Sequence, residues 1–259
     1  MAPASVPEIP AAPPGFARMD WRRAFSALQA LLSDPDDTAK ALEVNLAIGR
    51  RDFERSFQRF AASSAGRTLL ADRPSLATAL SDRAALERMS RESLGRAYLE
   101  YLDCNGFSAT GLVELEHETV SRWERESGLP VSDWARAWFR ERLILTHDLA
   151  HVVTGYGTDD AGEATLLVFS QAQLGGRGNG LLTTGATFEM LRYWGPSYLG
   201  YAFRVWRRGR QAKCLVALPW EELLPLRLAT VRRIAGLDTP EEAHPSGVLR
   251  LRREPAASS

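Results

Sequence analysis

Two of the chain's four histidines, His147 and His151, stand four residues apart in the stretch LILTHDLAHVVTGYGTDDAGE (143–163). Asp148 follows the first directly, and Glu163 lies twelve positions beyond the second. On a helix the two histidines sit one above the other, roughly 5–6 Å apart at Cβ. Asp148 is turned about 100° from His147 by the helical period, so the three polar groups span one broad face. Gly155 and Gly157 can end that helix, and Asp159, Asp160 and Gly162 offer turn and capping chemistry for a returning one. Glu163 would then fall in the first turn of the return, beside the turn that holds His151. Two imidazoles and one or two carboxylates that converge in this way make a metal site of zinc or non-haem iron type. A single histidine on a helix is more often an ordinary core or surface residue. Here, however, Leu145, Leu149, Val152 and Val153 flank the pair and would bury it, and buried polar groups need partners.

The elements that must carry these residues are helical. Trp21 to Leu32, Asp37 to Ile48 and Arg51 to Ala62 each place apolar residues at helical spacing, the last with Phe53, Phe57 and Phe60 on one stripe that reads as core packing. Short helices are predicted over 75–80 and 82–89, and a longer one over 93–104 ended by Asn105-Gly106. A charged helix over 114–127 stops at Gly128-Leu129-Pro130. Ser132 or Asp133 then caps the long helix that carries both histidines. The return helix runs from Glu163 to Leu174, and Gly175–Gly180 (GGRGNG) reads as a flexible loop without the P-loop lysine or dinucleotide spacing. Residues 183–206 are aromatic and compatible with helix or short strand. Trp220 to Ala235 reads as one last helix with Pro225 in its first turn or kinking it. The expected architecture is all-α: a single-domain helical bundle with the metal site between two consecutive helices.

The remaining composition bounds the answer. With 259 residues, 45% hydrophobic and 25% charged, the chain has the make-up of a soluble globular protein. Lys plus Arg equals Asp plus Glu at 32 each, which gives no electrostatic reason for a nucleic-acid partner. Lys40 and Lys213 are the only lysines, an arginine bias that suggests a GC-rich genome. Cys104 and Cys214 are far apart, so no disulfide framework is implied and a reducing cytosol is the expectation. Residues 1–19, rich in Pro and Ala, read as a disordered tail, 20–237 as the folded domain and 238–259 as a flexible C-terminal tail. No run approaches a membrane span. Arg204, Arg207, Arg208, Arg210 and Lys213 cluster around Trp206, near Tyr198, Tyr201 and Phe203. That mixture suits an anionic membrane surface or a phosphate-bearing ligand, but a solvated helix face is the simpler account unless the metal site itself calls for a membrane.

His147-Asp148-x-x-His151 followed by Glu163 resembles the metal motif of the ubiquinone (coenzyme Q) biosynthesis family called COQ-four. Three further blocks are similar to that family in the same order: SAGRTLLADRP (64–74), SLGRAYLEYLDCNG (93–106) and WEELLPLRLATVRRIAGL (220–237). The likeness covers about residues 60–237, and by it the chain is identified as a bacterial member. It departs from the commoner pattern at Leu143-Ile144-Leu145, where many members carry Arg and Glu. The resemblance implies an all-helical protein with His147, Asp148, His151 and Glu163 at the metal positions, zinc first and iron second; no other residue is assigned a catalytic role. It further implies a polyprenylated hydroxybenzoate-type precursor, support of the oxidative decarboxylation of its ring, other ubiquinone-biosynthesis enzymes as partners, and a possible homodimer. The implied location is cytoplasmic, peripherally on the inner face of the cell membrane.

A metal held in this way with an open position can polarise a carboxylate or phenolate oxygen, and Asp148 can orient a histidine instead of ligating. Leu166, Leu167, Phe169, Leu223 and Leu224 are candidate walls for the prenyl tail. A non-catalytic lipid-binding scaffold that organises the pathway's enzymes is the main alternative. An HD-type phosphohydrolase using His117 and Asp159 leaves His151 and Glu163 idle. A zincin-like protease would need Glu where Asp148 stands.

Overall fold

The computed structural model describes residues 19–34, 37–127 and 133–250. Among them are fifteen α-helices: α1 (Trp21–Ser33), α2 (Thr38–Ile48), α3 (Arg50–Ala62), α4 (Ser64–Asp72), α5 (Leu76–Ser81), α6 (Arg83–Arg88), α7 (Leu94–Asn105), α8 (Gly111–Ser127), α9 (Trp134–Thr154), α10 (Asp160–Leu174), α11 (Arg177–Trp194), α12 (Ser197–Gln211), α13 (Trp220–Leu223), α14 (Leu228–Ala235) and α15 (Pro240–Ala243). The only pairing of strand type among the described residues is one antiparallel bridge, Ser93 with Arg227. The all-α expectation therefore holds. The expected tail over 1–19 falls almost wholly outside the described residues, as does 251–259.

Capping chemistry accounts for most of the boundaries. The side chains of Asp20, Ser63, Ser75, Asp82, Ser93, Asp133 and Asp159 each accept a backbone N–H in the first turn of the helix that follows. α9, the longest helix, lies at the centre. Phe139 packs against Phe57 and Phe60 of the aromatic stripe at 5.5 and 4.8 Å between ring centres, while Leu145, Leu149 and Val153 face the main core shared with α5, α7, α10, α12 and α14. Arg142 is 2% exposed and donates to Val216 O (3.0 Å), Leu218 O (2.6 Å) and the Glu221 carboxylate (2.7 Å), which ties α9 to the segment before α13.

One open reading is resolved and three expectations differ from what is observed. Residues 183–206, open between helix and strand in the sequence, are helical in α11 and α12 except at the turn of Gly195 (φ 57°) and Pro196. The glycine run is not a loop along its length: only Gly175 and Gly176 link the helices, and α11 begins at Arg177, whose N–H donates to Asp52 Oδ2 at 2.7 Å. The stretch 220–235 is two helices. Pro225 interrupts it, and the freed backbone pairs with the start of α7, Leu94 N–H to Leu226 O and Gly95 N–H to Leu224 O, both 2.8 Å. The segment after Asp238, expected to be a flexible tail, is ordered as far as Arg250. Thr239 and Glu242 form a capping box around α15 with Pro240 at its start. His244 beyond it is buried, its ring 4.8 Å from that of Tyr201 and its Nε2 3.1 Å from the Tyr156 hydroxyl.

Candidate metal centre

α9 carries His147 and His151 in its last two turns and ends at Gly155 (φ 78°), whose N–H donates to His151 O at 2.9 Å. A left-handed residue at this position is what glycine supplies at no steric cost. The chain turns back through Tyr156–Asp159, and Asp159 caps α10 through the N–H groups of Ala161 and Gly162. The turn is so tight that a Cβ on Gly162 would stand 2.0 Å from Gly157 O. The next residue is Glu163.

These elements bring three donors together. His151 Nε2 is 3.1 Å from Glu163 Oε1 and 3.2 Å from His147 Nε2, and His147 Nε2 is 3.6 Å from Glu163 Oε2. The rings of the two histidines are nearly perpendicular, at 88°, with centres 4.8 Å apart. One donor atom from each of the three residues lies within 4.8 Å of the other two. Tyr156 O lies 3.1 Å from His151 Nδ1. With a proton on Nδ1 donated to that carbonyl, Nε2 is the atom turned to Glu163: protonated, it donates to the carboxylate, and on losing that proton it offers a metal its lone pair. Asp148 is not part of this group. It is buried, and Tyr101 of α7 reaches it with its hydroxyl at 3.5 Å from Oδ1 while stacking on His151, ring centres 5.7 Å apart.

The electrostatics follow from burial and mutual contact. Burial by itself would raise the Glu163 carboxyl, but the charge on His151 and hydrogen bonds from both histidines hold it well below the usual carboxylate range. Burial would lower His147, and its hydrogen bond and Coulomb attraction to Glu163 reverse this and raise it. Burial pushes the Asp148 carboxyl up, against the attraction of the two histidines. The donor set of two nitrogens and one carboxylate fits zinc or iron.

His147 and Glu163 open into a cavity of about 720 Å³ whose wall includes Leu143, Ile144, Leu167, Phe169, Leu182 and Met190. Of the expected tail-binding residues, Leu167 and Phe169 line it. Leu166, Leu223 and Leu224 pack in the core instead. Sequence reasoning missed Tyr101 and the Tyr156 carbonyl, whose roles depend on tertiary contact, and missed the cavity-lining Leu143 and Ile144, which the apolar run before His147 did signal. The residues of the phosphohydrolase reading are not assembled here: His117 is exposed on α8, and Asp159 is the cap of α10.

An all-helical domain with a His-His-Glu group that could hold a metal, two of whose members, His147 and Glu163, line a largely apolar cavity, is the class that fold and site define. Residues 22–241 match the family model described as coenzyme Q (ubiquinone) biosynthesis protein Coq4, and the chain belongs to that family. Relatives include the mitochondrial ubiquinone biosynthesis protein COQ4 of Arthroderma otae, 29% identical over 181 residues (68% of this chain, 61% of that protein). The human COQ4 homolog is 27% identical over 179 residues (68% of this chain, 62% of that protein). The match thus spans about six-tenths of these relatives' length. The crystal structure of a protein from Nostoc punctiforme PCC 73102 superposes with a TM-score of 0.59 at 17% identity, over 85% of this chain and 100% of that one. That likeness establishes the fold.

Proposed function

We propose that this chain acts in ubiquinone biosynthesis by holding a polyprenylated hydroxybenzoate-type precursor in the cavity, its ring towards a divalent metal bound by His147, His151 and Glu163, and that it supports oxidative decarboxylation of the ring. The observation that carries the reading is the opening of His147 and Glu163 into the largely apolar cavity. Zinc is the first candidate and iron the second. With zinc, which is redox-inert, the two-electron oxidant for the ring must come from outside the chain, whereas iron would permit dioxygen to serve. The ion would supply Lewis acidity towards a phenolate or carboxylate oxygen. The protein's own part is to fix geometry and exclude water. The Tyr156 carbonyl holds the His151 tautomer, Tyr101 stacks on that ring, and Asp148 holds Tyr101 in place of ligating. Leu143, Ile144 and Leu167 keep the dielectric low where charge develops.

Peripheral membrane binding and delivery to partner enzymes belong to the same proposal. Among the described residues no helix is long and apolar enough to cross a membrane. Phe188, Leu199, Phe203 and Trp206 are exposed on α11 and α12, and the exposed Arg204, Arg207 and Arg210 accompany them, a combination suited to the anionic inner face of the cell membrane. Arg208 does not join that face. It is buried and donates to Thr154 O and Asp238 O.

Metal analysis of wild type and His151→Ala tests the metal. Near-stoichiometric zinc or iron in the first and none in the second supports it; none in either, with the fold intact, refutes it. Glu163→Gln is expected to keep prenyl-lipid binding and lose ring decarboxylation. Wild type that binds the lipid without any turnover makes the chain a scaffold that presents the precursor to other enzymes.

A further inference from the structure

The turn that serves His151 is not fixed by its own backbone. Tyr156, whose carbonyl lies 3.1 Å from His151 Nδ1, stands between Gly155 and Gly157. Glycine has the widest choice of backbone conformation of any residue, so a carbonyl held in one direction here needs an anchor from elsewhere. The Tyr156 side chain has one, eighty-eight residues further along the chain.

That anchor is the segment after α14, residues 238–250, which meets each residue from Thr154 to Tyr156. Arg208 links its beginning to the end of α9, donating to Thr154 O at 2.9 Å and to Asp238 O at 2.6 Å. Pro240, the first residue of α15, lies so close to Gly155 that a Cβ there would run into its ring. His244 then enters the core, 3% exposed, against Tyr156, itself 2% exposed. Its Nε2 is 3.1 Å from the Tyr156 hydroxyl, and its ring centre is 5.6 Å from that of Tyr156 and 4.8 Å from that of Tyr201. Val248 and Leu249 pack against the main core beyond it.

A segment that only covered the core would do so at least as well with apolar side chains. A buried hydroxyl and a buried imidazole each carry a desolvation cost, which a single hydrogen bond offsets with little to spare. What such a bond adds to packing is direction. The Tyr156 ring is held at its tip by His244 and over its face by the Arg208 guanidinium, 5.3 Å from the ring centre. With the ring held at two places, the backbone of the same residue loses the freedom that its glycine neighbours would give it.

We propose that the C-terminal segment is a positioning element of the metal centre: His244, through the Tyr156 hydroxyl, fixes the Tyr156 carbonyl on His151 Nδ1 and so turns His151 Nε2 towards Glu163. His244 acts on the donors only through Tyr156 and is a positioning residue. The consequence for metal affinity rests on the metal reading above. The hold on the His151 ring does not, because it exists in the metal-free protein.

Two measurements on the full chain test this. NMR of the metal-free protein reads the exchange of the His151 Nδ1 proton, assigned by its disappearance in His151→Ala, and competition with a chromophoric chelator reads zinc affinity. Wild type is expected to shelter that proton from water. His244→Phe keeps a ring in place without the bond; it should speed the exchange and weaken zinc, each by about tenfold, the lower end of what disturbing a ligand's support does. His244→Gln, whose amide can reach the hydroxyl in place of Nε2, should stay within about threefold of wild type on both. Leu86→Ala opens a cavity in the same core at α6 and should lower stability with neither effect. Should His244→Phe fail to fold, Tyr156→Phe removes the same bond from the other side and must show both losses. Wild-type exchange and affinity in the phenylalanine variants, a glutamine variant no better than His244→Phe, or equal losses in Leu86→Ala each overturn the proposal. Wild type that shelters the proton and binds no zinc refutes the metal reading and leaves the hold on His151 standing.

Discussion

Gly162 holds the return helix against the end of the helix before it, and a single methyl group there should disturb fold and site together. The Cβ of Gly162→Ala would lie 2.0 Å from Gly157 O, 2.4 Å from Gly157 C and 2.7 Å from Gly157 Cα. All three are backbone atoms, so no rotamer change relieves the clash. Overpacking in a well-filled interior costs about 1–3 kcal/mol, and the better helix propensity of alanine offsets at most about 1 kcal/mol of this. A net loss of about 1–2 kcal/mol follows. Relief requires the first turn of α10 to move from the 155–159 turn, and that carries Glu163 away from His151, 3.1 Å distant in the native site. Metal affinity should fall by about 10–100-fold, the range seen when the support of a ligand is disturbed. Urea unfolding with a chelator present reads the fold without metal linkage, and competition with a chromophoric chelator reads the affinity. Gly200→Ala is the control: it is exposed on α12, and its Cβ would meet nothing closer than Arg204 Nη1 at 3.9 Å. It should stabilise by about 0.5–1 kcal/mol without touching the affinity. Gly162→Ala with wild-type stability and wild-type affinity would refute the account of the turn.

Two further outcomes follow from buried groups. Burial, then the charges of Arg208 and Arg204, depress His244 from 6.5 to about 4. The unfolded chain therefore binds a proton between those values that the folded chain refuses, and stability falls as pH drops through this window, by an amount approaching roughly 3 kcal/mol. His244→Phe keeps a ring against Tyr201 and should flatten the urea midpoint between pH 7 and 4.5; an unchanged slope would show that His244 does not carry it. Arg142→Met strands the Glu221 carboxylate and two carbonyls that Arg142 now serves, and should cost about 3–5 kcal/mol in urea unfolding. A loss under about 1 kcal/mol would mean that water replaces those bonds.

What could be read in the sequence is what local chemistry determines. The helical pair His147 and His151, the stop at Gly155, the cap at Asp159 and Glu163 in the next first turn depend on residues within one short stretch, and the structure assembles them as expected. Asp148 stands among the sequence candidates because it shares the broad helical face of the histidines and belongs to the family's motif. On a helix adjacency means a turn of about 100°, and that turn directs it to Tyr101 of α7. The errors share a cause. Aromatic residues in α11 and α12 left helix and strand open, and tertiary context decides for helix; Gly178 makes a close approach to α2, with a Cβ there only 2.4 Å from Asn45 Oδ1. The buried arginines are the harder case. Arg136, Arg142 and Arg208 look like surface charges in a sequence, and each is buried because a partner distant in the chain receives it.

Those arginines also bear on the site. The last turn of α9 leaves carbonyls that need donors, and Arg208 supplies one to Thr154 O while Arg232 supplies another to Val153 O, each at 2.9 Å. His151 is thus held from behind by the anchored end of its helix, from one side by the Tyr156 carbonyl and from its face by Tyr101. Glu163 is held by a capped helix start that favours its negative charge. None of these supports passes through a ligand. The donors are positioned by the backbone and by distant side chains, so the ordering cost of the site falls on folding, and the full attraction of three converging donors is available for binding.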